Sequence, residues 1–192
     1  MKRYVIRFRR LIIISLILVV LSSAGYSIFM EEQGNFHQIT AGEAYRSGQL
    51  DKDELQYYLS KYGIRSVINL RGKNARERWY LQEKEICRDS KVAHYDLALS
   101  ATNEPSRRKI EELVRLFREV PRPVLIHCQA GADRSGIAAA LWKVIVDGLP
   151  KSKARNQLSI HFGHIPIGPT GALDDFFEKW KAPMSASKYI QG

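Results

Sequence analysis

Cysteine is scarce in this chain: Cys87 and Cys128 are the only two in 192 residues, and no Cys-x-x-Cys spacing occurs. That excludes a disulfide framework and gives no pattern for a zinc site or a dithiol redox pair. The count permits one bridge between the two, but nothing else in the sequence indicates it. Acidic residues are absent before Glu31. Internal repeats and low-complexity tracts are lacking, so solenoid and fibrous architectures are excluded. No stripe of aromatic and basic residues appears either, and nucleic-acid binding is not expected.

The formal net charge is +10, from 30 basic and 20 acidic residues. Five of the basic residues (Lys2, Arg3, Arg7, Arg9 and Arg10) precede the first apolar run. The remainder carries only a mild excess of positive charge, a bias towards anionic ligands and no more. Apolar content of 45% is that of a globular chain, and the length suits one domain with a real core.

Residues 11–21 are almost purely aliphatic, and Ser22-Ser23-Ala24-Gly25 follows. Two readings stay open for residues 1–30. A basic flank, a short apolar core and small residues make a signal peptide cleaved after Ala24. Alternatively, the twenty uncharged residues from Leu11 to Met30 make about 30 Å of helix, enough to anchor the chain in a membrane. Either way the basic end stays in the cytoplasm and residues 31–192 are exported as a single domain, to the periplasm or cell surface. No cysteine follows the apolar run, which argues against a lipoprotein anchor.

Past Glu31, short apolar runs alternate with helical patterns. Strands are expected at 36–39, 44–46, 66–70, 94–99 and 124–127. Helices are expected at 51–62 with Asp51 as cap, at 76–89 with Trp79, Ile86 and Cys87 inward, from Pro105 to Val120, at 137–146, at 152–160 and at 173–181. Strands alternating with helices imply an α/β fold: a mostly parallel central sheet of four or five strands flanked by helices, preceded by an N-terminal hydrophobic helix.

The segment His127-Cys128-Gln129-Ala130-Gly131-Ala132-Asp133-Arg134-Ser135-Gly136 lies between an apolar strand and an apolar helix. Ligands of such sheets bind outside the carboxyl ends of the strands, where helix N-termini present free amides. A loop curling there can turn successive N–H groups onto a phosphate dianion. Gly131 permits the tight curvature, and Gly136 lets the next helix pack closely. Near a helix N-terminus and a guanidinium, the Cys128 sulfur is favoured as thiolate, a nucleophile that needs no separate base. Arg134, six positions on, can return over the same anion with its planar fork. Ser135 can donate to the sulfur as it leaves, and His127 can orient the loop from below. A cysteine alone is more often an inert buried thiol; His127, Gly131, Arg134, Ser135 and Gly136 in register reverse that preference.

This segment resembles the His-Cys-x5-Arg-Ser/Thr signature of the protein tyrosine phosphatase superfamily, in its small bacterial dual-specificity-like branch. Tyr45-Arg46-Ser47-Gly48-Gln49 and Gly63-Ile64-Arg65-Ser66-Val67-Ile68-Asn69-Leu70-Arg71 resemble segments of that branch in the same order. The likeness covers residues 36–180. It implies hydrolysis through a phosphocysteine on Cys128, with substrate phosphate held by Gln129, Ala130, Gly131, Ala132, Asp133 and Arg134, and with no metal or other cofactor. It also implies a carboxylic acid that protonates the leaving group. Glu104, in the loop before Pro105, stands first. Asp133, which resembles the acid proposed in some bacterial members, and Asp96 are alternatives.

Arg46 and Arg71 end expected strands; a rim of the pocket competes there with a solvated or ion-paired structural role, which is preferred. His161 and His164 are taken as ordinary surface or core histidines, and Cys87 as a buried thiol rather than a redox partner of Cys128. The expected substrate is phosphotyrosine, with phosphoserine or phosphothreonine as extensions. A lipid or inositol phosphate phosphatase at the membrane, an inactive phosphate-binding module and a rhodanese-type sulfur transferase are the competing readings.

Overall fold

The computed structural model describes residues 9–22, 25 and 34–181. The chain divides into two units, Met1–Gln33 and Gly34–Gly192. In the first, residues 9–22 form helix α1, whose large apolar side chains from Leu11 to Leu21 are between 46% and 65% exposed. The expected signal or anchor runs on to residue 30, and residues 23–24 and 26–30 lie outside the described ones. Among the described residues, no helix is long and apolar enough to cross a membrane.

The second unit is an α/β fold around a five-stranded sheet. Its strands are β1 (His37–Thr40), β2 (Ala44–Ser47), β3 (Ser66–Asn69), β4 (Ala93–Asp96) and β5 (Val124–His127), in the order β1-β2-β5-β3-β4. The β1–β2 pair is antiparallel and every other pairing is parallel. Strands β2, β3 and β5 are buried at every position, polar Arg46, Ser47, Ser66 and Asn69 included, as central strands covered on both faces should be.

Side chains alternate between the faces. Tyr45, Val67 and Leu125 pack on one face with Leu55, Leu59, Ile86 and Cys87, from helices α2 (Lys52–Lys61) and α3 (Arg78–Asp89). Ala44, Ile68, Val124 and Ile126 face the other layer with Leu113, Phe117, Ile137 and Trp142, from α4 (Arg107–Glu119) and α5 (Asp133–Ile145). Helix α5 is enclosed, with residues Ile137 to Trp142 each fully buried.

Local chemistry explains most boundaries. Asp51 caps α2 through a reciprocal box with Glu54, at 2.8 and 2.9 Å. Helix α4 is capped by Ser106 and starts at Arg107, two residues after Pro105, because a hydroxyl accepting from the free N–H of Lys109 defines its first turn. On α3 the inward aromatic is Tyr80, not Trp79, which is only partly buried. Strand β4 ends at Asp96, short of the expected Leu99, although Leu97 and Leu99 are buried.

The expected helix at 152–160 is instead the short α6 (Lys151–Ala154), followed by 3-10 turns at Arg155–Gln157 and Ile160–Phe162. Another 3-10 turn at Gly168–Gly171 leads into α7 (Ala172–Lys179). The apolar residues between α6 and α7 are too few to face a core along a longer helix; Ile160, Ile165 and Ile167 are exposed.

Candidate active site

Strands β2, β5, β3 and β4 align so that Ser47 and Asn69 both pair with His127, and Asp96 pairs with Asn69. Their carboxyl ends therefore form one edge, and Cys128 is the first residue beyond its centre. Helix α5 begins at Asp133, four residues earlier than its apolar run suggested, so the loop proper is only Cys128 to Ala132. Arg134 and Ser135 lie in the first helical turn, where backbone N–H groups have no partner inside the helix. Cys128 is 2% exposed on the floor of the loop, beneath an exposed crest at Gln129 and Ala130.

The outward side of this loop is fully engaged. The carbonyl of Gln129 accepts from the Gln49 amide at 2.8 Å, and that of Ala130 from Asn35 Nδ2 at 2.8 Å. Arg46 Nη2 donates to the carbonyls of Gly131 at 2.7 Å and Ala132 at 2.9 Å. In a trans peptide the N–H points opposite to the carbonyl. Holding these four carbonyls outward therefore aims the amides of Ala130, Gly131, Ala132 and Asp133 at the concave side. Gly131 has φ +73°, and a Cβ there would stand 2.5 Å from the Gly48 nitrogen. A Cβ on Gly136 would meet Leu158 Cδ2 at 2.9 Å, which is the close helix packing expected of it.

Arg46 is the residue the sequence undervalued. It is fully buried, donates through Nη1 to the Gln157 carbonyl at 2.7 Å, and lies 4.3 Å from the centre of the Phe162 ring. The solvated or ion-paired role expected for it is overturned: among the described residues no carboxylate lies within ion-pair distance. Burial lowers its pKa to about 10, while negative charge on Cys128 and Asp133 acts to raise it. The signal available in sequence was an arginine inside a strand buried at every position, where a cation survives only with several acceptors.

Glu83 is a second residue missed. It is 3% exposed on the inner face of α3; its Oε1 accepts from His94 Nε2 at 2.7 Å and His127 Nε2 at 3.2 Å, and its Oε2 from Gln49 Nε2 at 2.7 Å. Burial pushes its pKa up, but the charge and hydrogen bond of His127, with hydrogen bonds from His94 and Gln49, outweigh burial and hold it well below the carboxylate range. The side chain of His127 thus has a fixed partner directly before Cys128. Glu83 follows Tyr80 by three positions and precedes Cys87 by four, so helical spacing placed an acid on the buried face.

The expected site residues divide by their partners. Ser135 is buried and its hydroxyl donates to the Ser47 carbonyl at 3.2 Å, which also accepts from the Cys128 amide at 3.3 Å. Arg134 is at the loop, and among the described residues nothing accepts a hydrogen bond from its buried Nε. Asp96 has both oxygens engaged, by Asn69 Nδ2 at 2.9 Å and Tyr80 Oη at 2.6 Å. Asp133 pairs at 2.7 Å with Nδ1 of His164, whose Nε2 pairs at 2.7 Å with Asp174. Burial lowers the His164 pKa, but the hydrogen bonds of the two aspartates raise it further, giving a net rise. Glu104 sits apart on an exposed loop, bridged to Lys179 at 2.9 Å. Both cysteines are free, and Cys87 lies on the opposite face of the sheet from Cys128. Burial pushes the Cys87 thiol up to about 12.

A family model described as "DSP-PTPase phosphatase fused to NAD+ Kinase" matches residues 26–164. Among solved structures, TpbA of P. aeruginosa is similar at 19% identity over 82% of this chain and 91% of its own, with a TM-score of 0.62. The catalytic core of SIW14 from S. cerevisiae, described as a PP-IP phosphatase, is similar at 18% identity over 81% and 93%, with a TM-score of 0.65. A putative phosphatase of Shewanella putrefaciens is similar at 17% identity over 80% and 97%, with a TM-score of 0.60. At these identities the likeness is one of fold. No curated protein matches the sequence.

Two outcomes test this geometry. Arg46→Lys keeps a cation but loses the guanidinium whose Nη2 holds two loop carbonyls while Nη1 is anchored on Gln157. Its kcat/KM for an aryl phosphate should fall by roughly tenfold to a hundredfold, the loss of one or two charge-assisted hydrogen bonds. Full activity in that variant would show that the loop needs no such clamp. His37 bonds the same Asn35 at 2.8 Å, and burial, then the charges of Arg46 and His161, lower its pKa from 6.5 to about 4. A histidine with a depressed folded pKa stabilises above its unfolded value and loses that contribution as the pH falls. Urea unfolding should therefore show stability declining between pH 6.5 and 4, with a shallower decline in His37→Gln.

Proposed function

The chain belongs to the dual-specificity-type protein tyrosine phosphatase family described by the model matching residues 26–164, and from that premise we propose that it hydrolyses phosphotyrosine through a phosphocysteine on Cys128. The observation that carries this reading is the loop itself: four carbonyls held outward around a buried sulfur, beside a guanidinium whose Nε has no acceptor.

The reaction follows from what those groups can do. The Cys128 thiolate attacks phosphorus, and an S–P bond forms as the bond to the leaving oxygen breaks. The loop amides and the Arg134 fork take the equatorial oxygens, and their hydrogen bonds strengthen as charge accumulates there. A carboxylic acid delivers its proton to the leaving oxygen. Water, giving up a proton to the carboxylate so formed, then displaces the sulfur and releases phosphate. Ser135, 3.2 Å from the Ser47 carbonyl, can turn its hydroxyl to the departing thiolate.

Glu104 remains the first choice for the acid. Asp96 has no free oxygen, and Asp133 is tied to a buried histidine through Oδ1. Glu104 is held only by an exposed bridge to Lys179, and such bridges contribute little and are readily exchanged.

The complex of a cysteine-to-serine form of TpbA with pTyr favours the phosphotyrosine reading, with phosphoserine and phosphothreonine as extensions. The description of SIW14 as a PP-IP phosphatase supports the second reading, an inositol or lipid phosphate substrate. An inactive phosphate-binding module is disfavoured because it has little need of both the sulfur and the arginine.

Cys128→Ser should reduce hydrolysis of p-nitrophenyl phosphate and of a phosphotyrosine peptide to background, and the wild-type activity should be vanadate-sensitive and EDTA-resistant; turnover retained in that variant sinks the mechanism. Glu104→Gln should cost about a hundredfold with phenyl phosphate and far less with p-nitrophenyl phosphate, whose leaving group needs no proton. An equal loss on both, or the selective loss in Asp96→Asn or Asp133→Asn instead, would reassign the acid.

A further inference from the structure

We propose that Arg71, with the basic turn that follows it, forms a second anion subsite at the mouth of the loop, so that the preferred substrate carries another negative group beside the scissile phosphate. This rests on the phosphatase reading and names the substrate class that reading leaves open. The loop itself supplies no cation before Arg134, since Gln129, Ala130 and Ala132 are neutral and Asp133 is acidic.

Strand register brings Arg71 there. Asn69 pairs with His127 and the Leu70 amide donates to the His127 carbonyl at 2.9 Å, so the chain leaving β3 runs beside Cys128. Arg71 Nη1 donates to Gln49 Oε1 at 3.0 Å, and the Gln49 amide in turn holds the Gln129 carbonyl at the loop crest. The guanidinium lies 3.6 Å from the centre of the Trp79 ring. Stacking fixes its plane and leaves its edge to ligands, a lower entropic cost of binding than a free side chain would carry.

Three further observations point to a ligand rather than to a structural arginine. Among the described residues, no carboxylate lies within ion-pair distance of Arg71, and Glu83 is already shared by His94, His127 and Gln49. The neighbouring Arg134 has no acceptor for its buried Nε, and the two guanidinium charges repel: burial and then Arg134 lower the Arg71 pKa. Negative charge on Glu83, Cys128 and Glu77 offsets part of that repulsion without forming an ion pair, and a polyanion bridging the two cations would relieve the rest. The turn beyond is also basic, with Lys73, Arg76 and Arg78 exposed against the single acid Glu77. Asn69 Nδ2 and Asn74 Nδ2 hold its Gly72 carbonyl at 2.9 and 2.7 Å, so the turn is preformed.

The test uses the full chain and two matched phosphotyrosine peptides, one flanked by alanine and one by glutamate, with orthophosphate and pyrophosphate as competing ligands. Wild type should favour the acidic peptide by about tenfold in kcat/KM and bind pyrophosphate about tenfold more tightly than orthophosphate, the worth of one charge-assisted hydrogen bond. Arg71→Gln should remove both preferences while losing much less on the alanine peptide. Arg71→Lys should keep part of each and guards against a fold defect. A preference for pyrophosphate alone supports the subsite and assigns its second group to a small bisphosphate.

Equal treatment of both members of each pair by wild type, or a preference that survives in Arg71→Gln, overturns the subsite and leaves the phosphatase reading standing. If neither peptide is hydrolysed, the phosphotyrosine reading fails separately. Calorimetric binding of the two phosphates to wild type and Arg71→Gln then still decides the subsite.

Discussion

A peptide unit holds its N–H towards an anion when its carbonyl, on the opposite side, accepts a hydrogen bond from a fixed donor. In this chain that condition is met four times in succession by donors from elsewhere in the sequence: the Gln49 amide, Asn35 Nδ2 and Arg46 Nη2, which serves two carbonyls. The curvature of residues 128–133 is therefore imposed from behind. Gly131 and Gly48 approach closely because no side chain stands between the loop and the end of β2. Remove the outward acceptor contacts and the loop retains its sequence but not its curvature.

The donors are themselves anchored, and this ties the site to the whole domain. Arg46 reaches from β2 to Gln157, and Asn35 reaches from the strand entrance to Phe162 as well as to Ala130. Those contacts draw the irregular segment after α6 against the underside of the loop. On the other sheet face Glu83 gathers His94, His127 and Gln49. A buried network of this kind rigidifies when every member has a partner and is costly when one does not. The loop after β5 thus sits between two polar networks, one on each face of the sheet.

The same arrangement sorts the acidic residues by role. Buried or tethered carboxylates, Glu83, Asp96 and Asp133, serve as acceptors that hold other groups still. Glu104, on a loop with only a surface bridge, keeps freedom to move. Cations sort likewise: Arg46 is spent on the carbonyls of Gly131, Ala132 and Gln157, whereas Arg134 Nε has no acceptor among the described residues and Arg71 meets only Gln49 and the Trp79 ring. The chemistry proposed for the site depends on that division between fixed and available charge.

Local information in the sequence determined the strands 66–70 and 124–127, the Asp51 cap and the α/β class, and it marked the loop from Cys128 to Arg134 as the candidate site, because period, capping chemistry and a six-residue spacing are all properties of neighbours. It placed the start of α5 too late, since Asp133 to Gly136 are polar or small and carry no apolar periodicity to announce a helix. It also overextended the helix after Pro150, where Ala154 and Leu158 are buried but Ile160 is exposed, too little apolar surface to hold a longer helix. What only the tertiary structure decided were the partners: Arg46 beneath the loop, Glu83 behind His127, His164 between two aspartates, and Arg71 on Gln49. Each of these pairs residues distant in the chain, and charge in a sequence carries no mark of what it will meet when the sheet brings its strand ends together.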